Sequence, residues 1–210
     1  MKAFIYTGGI INTQNITEHP KGDDLVIAAD SGYDNAKALG EKPNILLGDM
    51  DSIKSKSLPE DIETLKVPAE KDFTDTQLAV DTAIKRGARE IVIIGGLDGR
   101  LDHTLSNLAI LEDLYKRGIF AHITNGYNRV RFLNSTSTLL PKSGFGYFGL
   151  LCFSEKAKGV SIEGAKYPLK NAKIERTFQF AVSNEIVGNC ALISVRKGAF
   201  YIVESSEQIK

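Results

Sequence analysis

Short, unbroken apolar runs punctuate the first part of the chain, each ending in glycine, aspartate, asparagine or serine. "AFIYTG", "LVIAAD", "NILLGD", "EIVIIGG" and "IFAHITN" are five such runs, rich in β-branched residues. A strand that is apolar at every position needs cover on both faces, as in a parallel sheet flanked by helices. Helical spacing fills the intervals. In "DTQLAVDTAIKRG", Val80, Ala83, Ile84 and Gly87 fall on one helix face. Thr74 and Gln77 make a capping-box pair at its start, and Gly87 after Lys85 and Arg86 marks its stop. "HTLSNLAILEDLYKRG" repeats the plan up to Gly118 and is apolar nearly all round, which predicts a well-buried helix.

After Asn125 the pattern changes. "RVRFLN", "STLL", "GYFGLLCFS", "KGVSIEG", "KIERTFQFAVS", "CALISVRKG" and "AFYIVES" are short strand candidates separated by turn residues, with no helix between them. That pattern predicts an antiparallel sandwich or barrel. The expected boundary lies in "TNGYN", giving residues 1–126 as an α/β domain and 127–210 as an all-β domain.

Charge and composition narrow the classes. The 26 basic residues balance the 26 acidic ones, so no long nucleic-acid footprint is expected. No window approaches the roughly 18 apolar residues of a membrane span. "MKAFIYTGGI" reads as a first strand rather than a leader, and a cytoplasmic location is expected. Cys152 and Cys190 both sit in apolar strand-like runs and read as buried reduced thiols.

Polar residues collect where the strands of the first half end. They are "ADSG" (Asp30, Ser31, Gly32), "GDMDS" (Asp49, Asp51), "KDFTD" (Lys71, Asp72, Asp75) and "GGLDGRLDH" (Gly95 to His103). Ligands of open α/β sheets bind outside the carboxyl ends of the strands. Asp49, Asp51, Asp72, Asp75 and Asp102 gathered in one crevice would repel unless a cation compensates them. Hard carboxylate oxygens suit Mg²⁺, which is typically held by a few carboxylates plus substrate phosphates. Arg100 and Lys71 are suited to clamp phosphate, and Gly95, Gly96 and Gly99 let backbone N–H groups approach an anion. The residues together point to a magnesium–nucleotide site. His103 fits a purely structural place near a helix start equally well. The nucleotide is not held by a P-loop, because Gly-Lys never occurs. "GFGYFG" (Gly144 to Gly149) precedes a strand rather than a helix, so it is no dinucleotide fingerprint.

In order along the chain, "ADSG", "GDMDS", "KDFTDTQLAV", "GGLDGRLDHTLSN", "GVSIEGAKYPL" and "FAVSNE" resemble the motifs of the thiamine pyrophosphokinase (thiamine diphosphokinase) family. The resemblance implies an N-terminal parallel-sheet α/β nucleotide-binding domain followed by a C-terminal antiparallel β-sandwich that binds thiamine. It implies a homodimer with active sites between subunits, and transfer of the terminal diphosphate of ATP to thiamine with Mg²⁺. Carried over by position, Asp49, Asp51 and Asp75 are the metal candidates, with Asp72 a second choice. Asp30, Ser31, Gly32, Lys71, Gly96, Gly99, Arg100 and His103 fall on the nucleotide side. Asp72, Asp75, Arg100 and Asp102 are the catalytic set. Gln77, Asp102, Ser183 and Asn184 fall on the thiamine side, the last two from the sandwich of the same or the other subunit. Two departures stand out. The chain has no Trp to stack on thiamine, leaving Tyr167, Phe178 or Phe180 for that place, and Asp98 stands where Gly is common. Transfer to another hydroxymethyl heterocycle such as a pterin, and a non-enzymatic thiamine or nucleotide sensor, are the competing readings.

Overall fold

The computed structural model describes residues 1–49, 61–66 and 72–207, and the chain divides into two compact units, Met1–Gly126 and Tyr127–Lys210. In the first unit six strands form a parallel sheet: β1 (Lys2–Tyr6), β2 (Leu25–Ala29), β3 (Ile45–Gly48), β4 (Glu63–Lys66), β5 (Glu90–Ile94) and β6 (Phe120–Thr124). Their order is β4-β3-β2-β1-β5-β6. Three helices connect them: α1 (Gly32–Ala38), α2 (Asp75–Lys85) and α3 (Leu101–Lys116).

This order follows from covering both faces. The chain steps from β2 to β3 through α1 in one direction, then from β4 back to β5 through α2 in the other. Right-handed crossovers in opposite directions place their helices on opposite faces. Accordingly Phe4, Tyr6, Val26, Val92 and Ile94 cluster with Ala36 of α1, while α2 crosses over β3, β2 and β1 and packs on α3. Ile5, Ile27 and Ile93, on the alternate positions, are fully buried. Each contributes about 2 kcal/mol of apolar burial.

Four details depart from the sequence-based expectations. β4, "ETLK", had no apolar signature, because it is an edge strand whose Glu63, Thr64 and Lys66 face solvent. The buried face of α2 is Thr76, Ala79, Val80 and Ala83. Its cap is half a capping box: Thr74 Oγ1 accepts the Gln77 N–H at 3.2 Å, but the Gln77 side chain reaches Asp81 at 3.4 Å rather than the Thr74 backbone. Finally, α3 buries only Asn107, Ile110, Leu111 and Leu114, leaving Leu101 and Leu105 exposed, so its all-round apolarity does not mean all-round burial within the chain.

The second unit is a sandwich. One sheet is β7 (Asn128–Asn134), β13 (Ala199–Ser205) and β9 (Tyr147–Cys152), with β13 in the middle. The other has the order β11 (Leu169–Glu175), β10 (Lys156–Glu163), β12 (Cys190–Lys197), β8 (Ser137–Pro141), all antiparallel. Leu133, Phe148, Leu150, Phe200 and Ile202 of the first sheet meet Leu140, Val160, Ile162, Ile174, Ile193 and Val195 of the second in one core. Alternation of apolar and polar residues makes this possible, since one face of each strand points inward. The run "KIERTFQFAVS" is not one strand: β11 stops at Glu175, and a turn follows in which the Phe178 N–H bonds to the Glu175 carbonyl at 3.0 Å. "GFGYFG" leads into β9, with no helix after it. Both cysteines are free; Cys152 is buried as expected, but Cys190 opens β12 and is exposed.

Candidate active site

The strand order reverses at β1, whose neighbours β2 and β5 begin the two arms of the sheet. Such a reversal leaves a crevice beyond the carboxyl ends of the strands. β1 ends into Thr7-Gly8-Gly9 and β5 ends into Gly95-Gly96. The two loops are tied together. Thr7 N–H donates to the Ile94 carbonyl at 2.8 Å, and Gly96 N–H donates to the Gly8 carbonyl at 3.0 Å. The approach is so close that a Cβ on Gly95 would lie 2.6 Å from the Thr7 carbonyl oxygen. Two buried or half-buried asparagines brace the crevice. Asn35 of α1 donates to the carbonyls of Thr7 (2.8 Å) and Gly9 (3.0 Å), and Asn107 of α3 donates to that of Gly96 (3.0 Å). Sequence reasoning passed over Thr7, Asn35 and Asn107. The signal for the first was present, since "TGG" repeats at the end of β1 the glycine pair that follows β5.

Asp98 belongs to this frame. Its Oδ2 accepts the Ile10 N–H at 2.8 Å, joining the loop after β5 to the loop after β1. The residue that departs from the common glycine therefore has a bracing role in the described residues.

Asp30, Ser31 and Gly32 sit where β2 turns into α1. Asp30 has φ 47° and its carboxylate lies against Gly48 at the end of β3. Ser31 is the N-cap, without a side-chain cap bond, and its hydroxyl lies against Gly8. Gly32 begins the helix so close to β1 that a Cβ would be 2.0 Å from the Tyr6 carbonyl oxygen, so only glycine brings α1 this near. Asp49 follows β3 directly and is exposed. Asp51 and Lys71 lie outside the described residues.

A pocket of about 480 Å³ joins the starts of the two helices on the other face. Asp72, Phe73, Thr74, Asp75 and Gln77 line it from α2 and its lead-in, and His103 and Ser106 from α3. Four candidates from two motifs, Asp72, Asp75 and Gln77 of one and His103 of the other, are thus brought together. Both helix N-termini carry partial positive charge, which favours anionic groups here.

Arg100 and Asp102 form a pair at the entrance to α3. Arg100 donates to both oxygens of Asp102, Nε to Oδ1 at 3.1 Å and Nη2 to Oδ2 at 2.6 Å. The His103 N–H also donates to Oδ1 at 3.0 Å. Hydrogen bonding to Arg100 holds the Asp102 carboxyl below the usual carboxylate range, with smaller help from the His103 N–H. The same bond holds the guanidinium above its ordinary value.

In the second unit, Ser183 and Asn184 lie beside the start of β9. Asn184 is buried, and both ends of its side-chain amide are hydrogen-bonded. Its Nδ2 donates to the Tyr167 carbonyl (2.8 Å), and its Oδ1 accepts from the N–H groups of Tyr167 (3.0 Å) and Glu185 (2.9 Å). It binds the "KYPL" and "SNE" segments into one structure. Ser183, with φ 56°, is exposed and lines a shallow pocket with Tyr147, Leu151 and Val182. Tyr167, Phe178 and Phe180 are all substantially exposed, and the last two rings lie 5.8 Å apart.

The model of the family described as "Thiamin pyrophosphokinase, catalytic domain" matches residues 17–123. The chain belongs to the thiamin pyrophosphokinase family. A second model, "Thiamin pyrophosphokinase, vitamin B1 binding domain", matches residues 136–200. Thiamine pyrophosphokinase of Bacillus subtilis (strain 168) is 29% identical over 209 residues, covering 97% of this chain and 98% of its own. A crystal structure of thiamine pyrophosphokinase from Bacillus subtilis superposes with a TM-score of 0.88 at 26% identity, covering 99% of this chain and 100% of that one. Thiamin pyrophosphokinase from Candida albicans shares the fold, with a TM-score of 0.75 at 14% identity, covering 98% of this chain and 89% of that one. The chain is therefore an enzyme of a diphosphotransferase family. No helix among the described residues is long and apolar enough to cross a membrane.

The donor chemistry can be tested against a magnesium ion. Among the described residues no three Asp, Glu, His or Cys side chains come together as a metal cage. Mg²⁺ does not need one, since one or two carboxylates plus substrate phosphates commonly suffice. Asp72 and Asp75 both line the pocket, whereas Asp49, directly after β3, is not among its lining residues. The two pocket carboxylates fit the ion.

Proposed function

We propose that this chain makes thiamine diphosphate and AMP from thiamine and ATP. The thiamine hydroxyl oxygen forms a bond to the β-phosphorus of ATP, the bond from that phosphorus to the α-phosphate oxygen breaks, and AMP leaves. The observation that carries this reading is the pocket that brings Asp72, Asp75 and Gln77 of one motif against His103 of another, at two helix N-termini.

Asp49, Asp51 and Asp75 would hold Mg²⁺, with Asp72 beside them; the ion supplies charge neutralisation on the transferring phosphates. Arg100 and Lys71 hold phosphate oxygens. Ser31, Gly32, Gly96 and Gly99 let the nucleotide come close to the backbone, with Asp30 and His103 at the margins. Asp102, kept acidic by Arg100, is a poor base at neutral pH and a good hydrogen-bond acceptor. It orients thiamine. Diphosphoryl transfer is mainly positioning, so no strong base is needed, and the proton of the hydroxyl passes to solvent. Gln77 and Ser183 contact thiamine, with Asn184 holding the loop that carries Ser183. The active unit is a homodimer with its sites between subunits, which also gives the exposed Leu101 and Leu105 at the start of α3 a surface to meet. The location is cytoplasmic.

One assay tests this. The purified chain is incubated with ATP, Mg²⁺ and thiamine, and the products are separated. Equal amounts of AMP and thiamine diphosphate, abolished by EDTA and by Asp75→Asn, are expected. ADP with thiamine monophosphate would show that the γ-phosphorus is attacked instead. No turnover of thiamine, with turnover of a hydroxymethyl pterin, would move the substrate assignment.

A further inference from the structure

The outer face of the four-stranded sheet carries a row of lysines. Lys158 of β10 stands directly opposite Lys197 of β12 on one side and Lys173 of β11 on the other. Like charges directly opposed across strands destabilise a sheet. β10 and β12 are interior strands, so these side chains do not guard an edge against aggregation. Lys173 is answered by Glu175. Among the described residues, Lys158 and Lys197 have no carboxylate partner.

A pocket of about 470 Å³ opens at this place, lined by Lys156, Lys158 and Lys197 together with Ser135, Ser154 and Gly198. Its turns are locked. Ser135 N–H donates to the Gly198 carbonyl at 2.9 Å, Gly198 N–H returns to Ser135 Oγ at 3.1 Å, and Ala199 N–H donates to Ser154 Oγ at 2.9 Å. Asn134 completes the wall and accepts the Ser135 hydroxyl at 2.9 Å. Glu155 also borders the pocket, but its side chain is 84% exposed and 3.8 Å from Lys156, so it offsets only one of the three charges. The pocket falls within the roughly 300–1,000 Å³ of small-molecule sites, and lysines bind phosphate as point charges.

We propose that this pocket is a second phosphate-binding site, taking a small, multiply charged phosphate such as inorganic diphosphate or the diphosphate end of a small molecule. It is separate from the Ser183 region. Ser183 and Asn184 lie at the Tyr147 end of β9, whereas Ser154 lies past its Cys152 end, and a six-residue strand spans about 20 Å. The uncancelled lysines are the cost of keeping the site ready, and a bound phosphate relieves their repulsion.

The test is an amide NMR titration of the full chain with inorganic diphosphate at constant ionic strength, without metal. Saturable shifts at Ser135, Ser154 and Gly198 are expected. In the double variant Lys158→Gln/Lys197→Gln the diphosphate concentration that half-saturates those shifts should rise at least about tenfold, the loss of two charge-assisted contacts. Formation of thiamine diphosphate should be unchanged, and the melting temperature without diphosphate should be equal or higher. If the double variant fails to fold, Lys158→Arg/Lys197→Arg serves instead and should keep the shifts. Three results would overturn the proposal: shifts confined to Gly95–His103, the same shifts from sodium chloride alone, or tighter binding of a single-stranded oligonucleotide than of diphosphate.

Discussion

Arg100 grips Asp102 across two residues of sequence, with Nε on one carboxylate oxygen at 3.1 Å and Nη2 on the other at 2.6 Å. Both groups are open to solvent, with side-chain exposures of 74% and 63%. Exposed ion pairs hold weakly. The pair therefore keeps Arg100 at the mouth of α3 without trapping it, and a phosphate competes for it readily.

Arg100→Ala should lower kcat/KM for ATP by about 10²–10³-fold, the usual effect of removing one positioned donor to a transferring group. Asp102→Asn should change the KM for ATP by less than about fivefold, as expected of a weak exposed pair. Its larger effect should fall on the KM for thiamine. Steady-state kinetics with each substrate varied in turn separate these outcomes.

Gly95 and Gly99 share a positive φ, at 99° and 77°, but differ in their surroundings. A Cβ on Gly95 would meet the Thr7 and Gly8 carbonyl oxygens at 2.6 and 2.8 Å, while Gly99 has nothing within 4 Å. Gly99→Ala should cost about 1 kcal/mol, the backbone strain alone. Gly95→Ala should cost at least about 3 kcal/mol, because two backbone segments must separate. Urea unfolding of both variants measures the contrast.

Asn184 and Ser183 are neighbours with opposite duties. Asn184→Ala removes three part-buried hydrogen bonds to the backbone of Tyr167 and Glu185, which should cost about 1–3 kcal/mol of stability. Ser183→Ala should leave the unfolding midpoint within about 0.5 kcal/mol, as surface changes do, and raise the KM for thiamine. Equal destabilisation by both would show that Ser183 is also structural.

Acid stability should depend on Glu18. Its hydrogen bond with His122, at 3.3 Å, and its contact with Lys2 bring its pKa from 4.5 to about 2 against the opposing effect of burial. The folded chain thus binds this proton more weakly than the unfolded one. The stabilisation is complete above about pH 4.5 and is lost as the pH falls toward about 2. With the side chain 42% exposed, solvent screening reduces the contribution to about 1–2 kcal/mol. Glu18→Gln should lower the unfolding free energy by that amount at pH 7, and the gap should close as acid titrations approach pH 2.

Strands β1, β2, β3 and β5 were readable in the chain because burial on both faces demands apolar residues at every position, and β4 was not, because an edge strand does not. The gathering of carboxylates and glycines at strand ends was also readable, since residue types leave a local mark. Their partners were not. The Asp98 carboxylate accepting the Ile10 N–H, Asn107 holding Gly96, and Asn184 bonding through both ends of its amide to Tyr167 and Glu185 all join segments distant in sequence or buried by packing. Leu105 lay in a run that looked like core and is surface, because periodicity reports what a helix can bury and not what the rest of the chain brings to it. Local pattern was enough for the buried strands and the helices, and for the residue types that gather at their ends. Only the tertiary structure decided that β1 is the reversal point of the sheet and which polar groups serve as struts, because strand order and cross-loop hydrogen bonds are set by contacts between residues far apart along the chain.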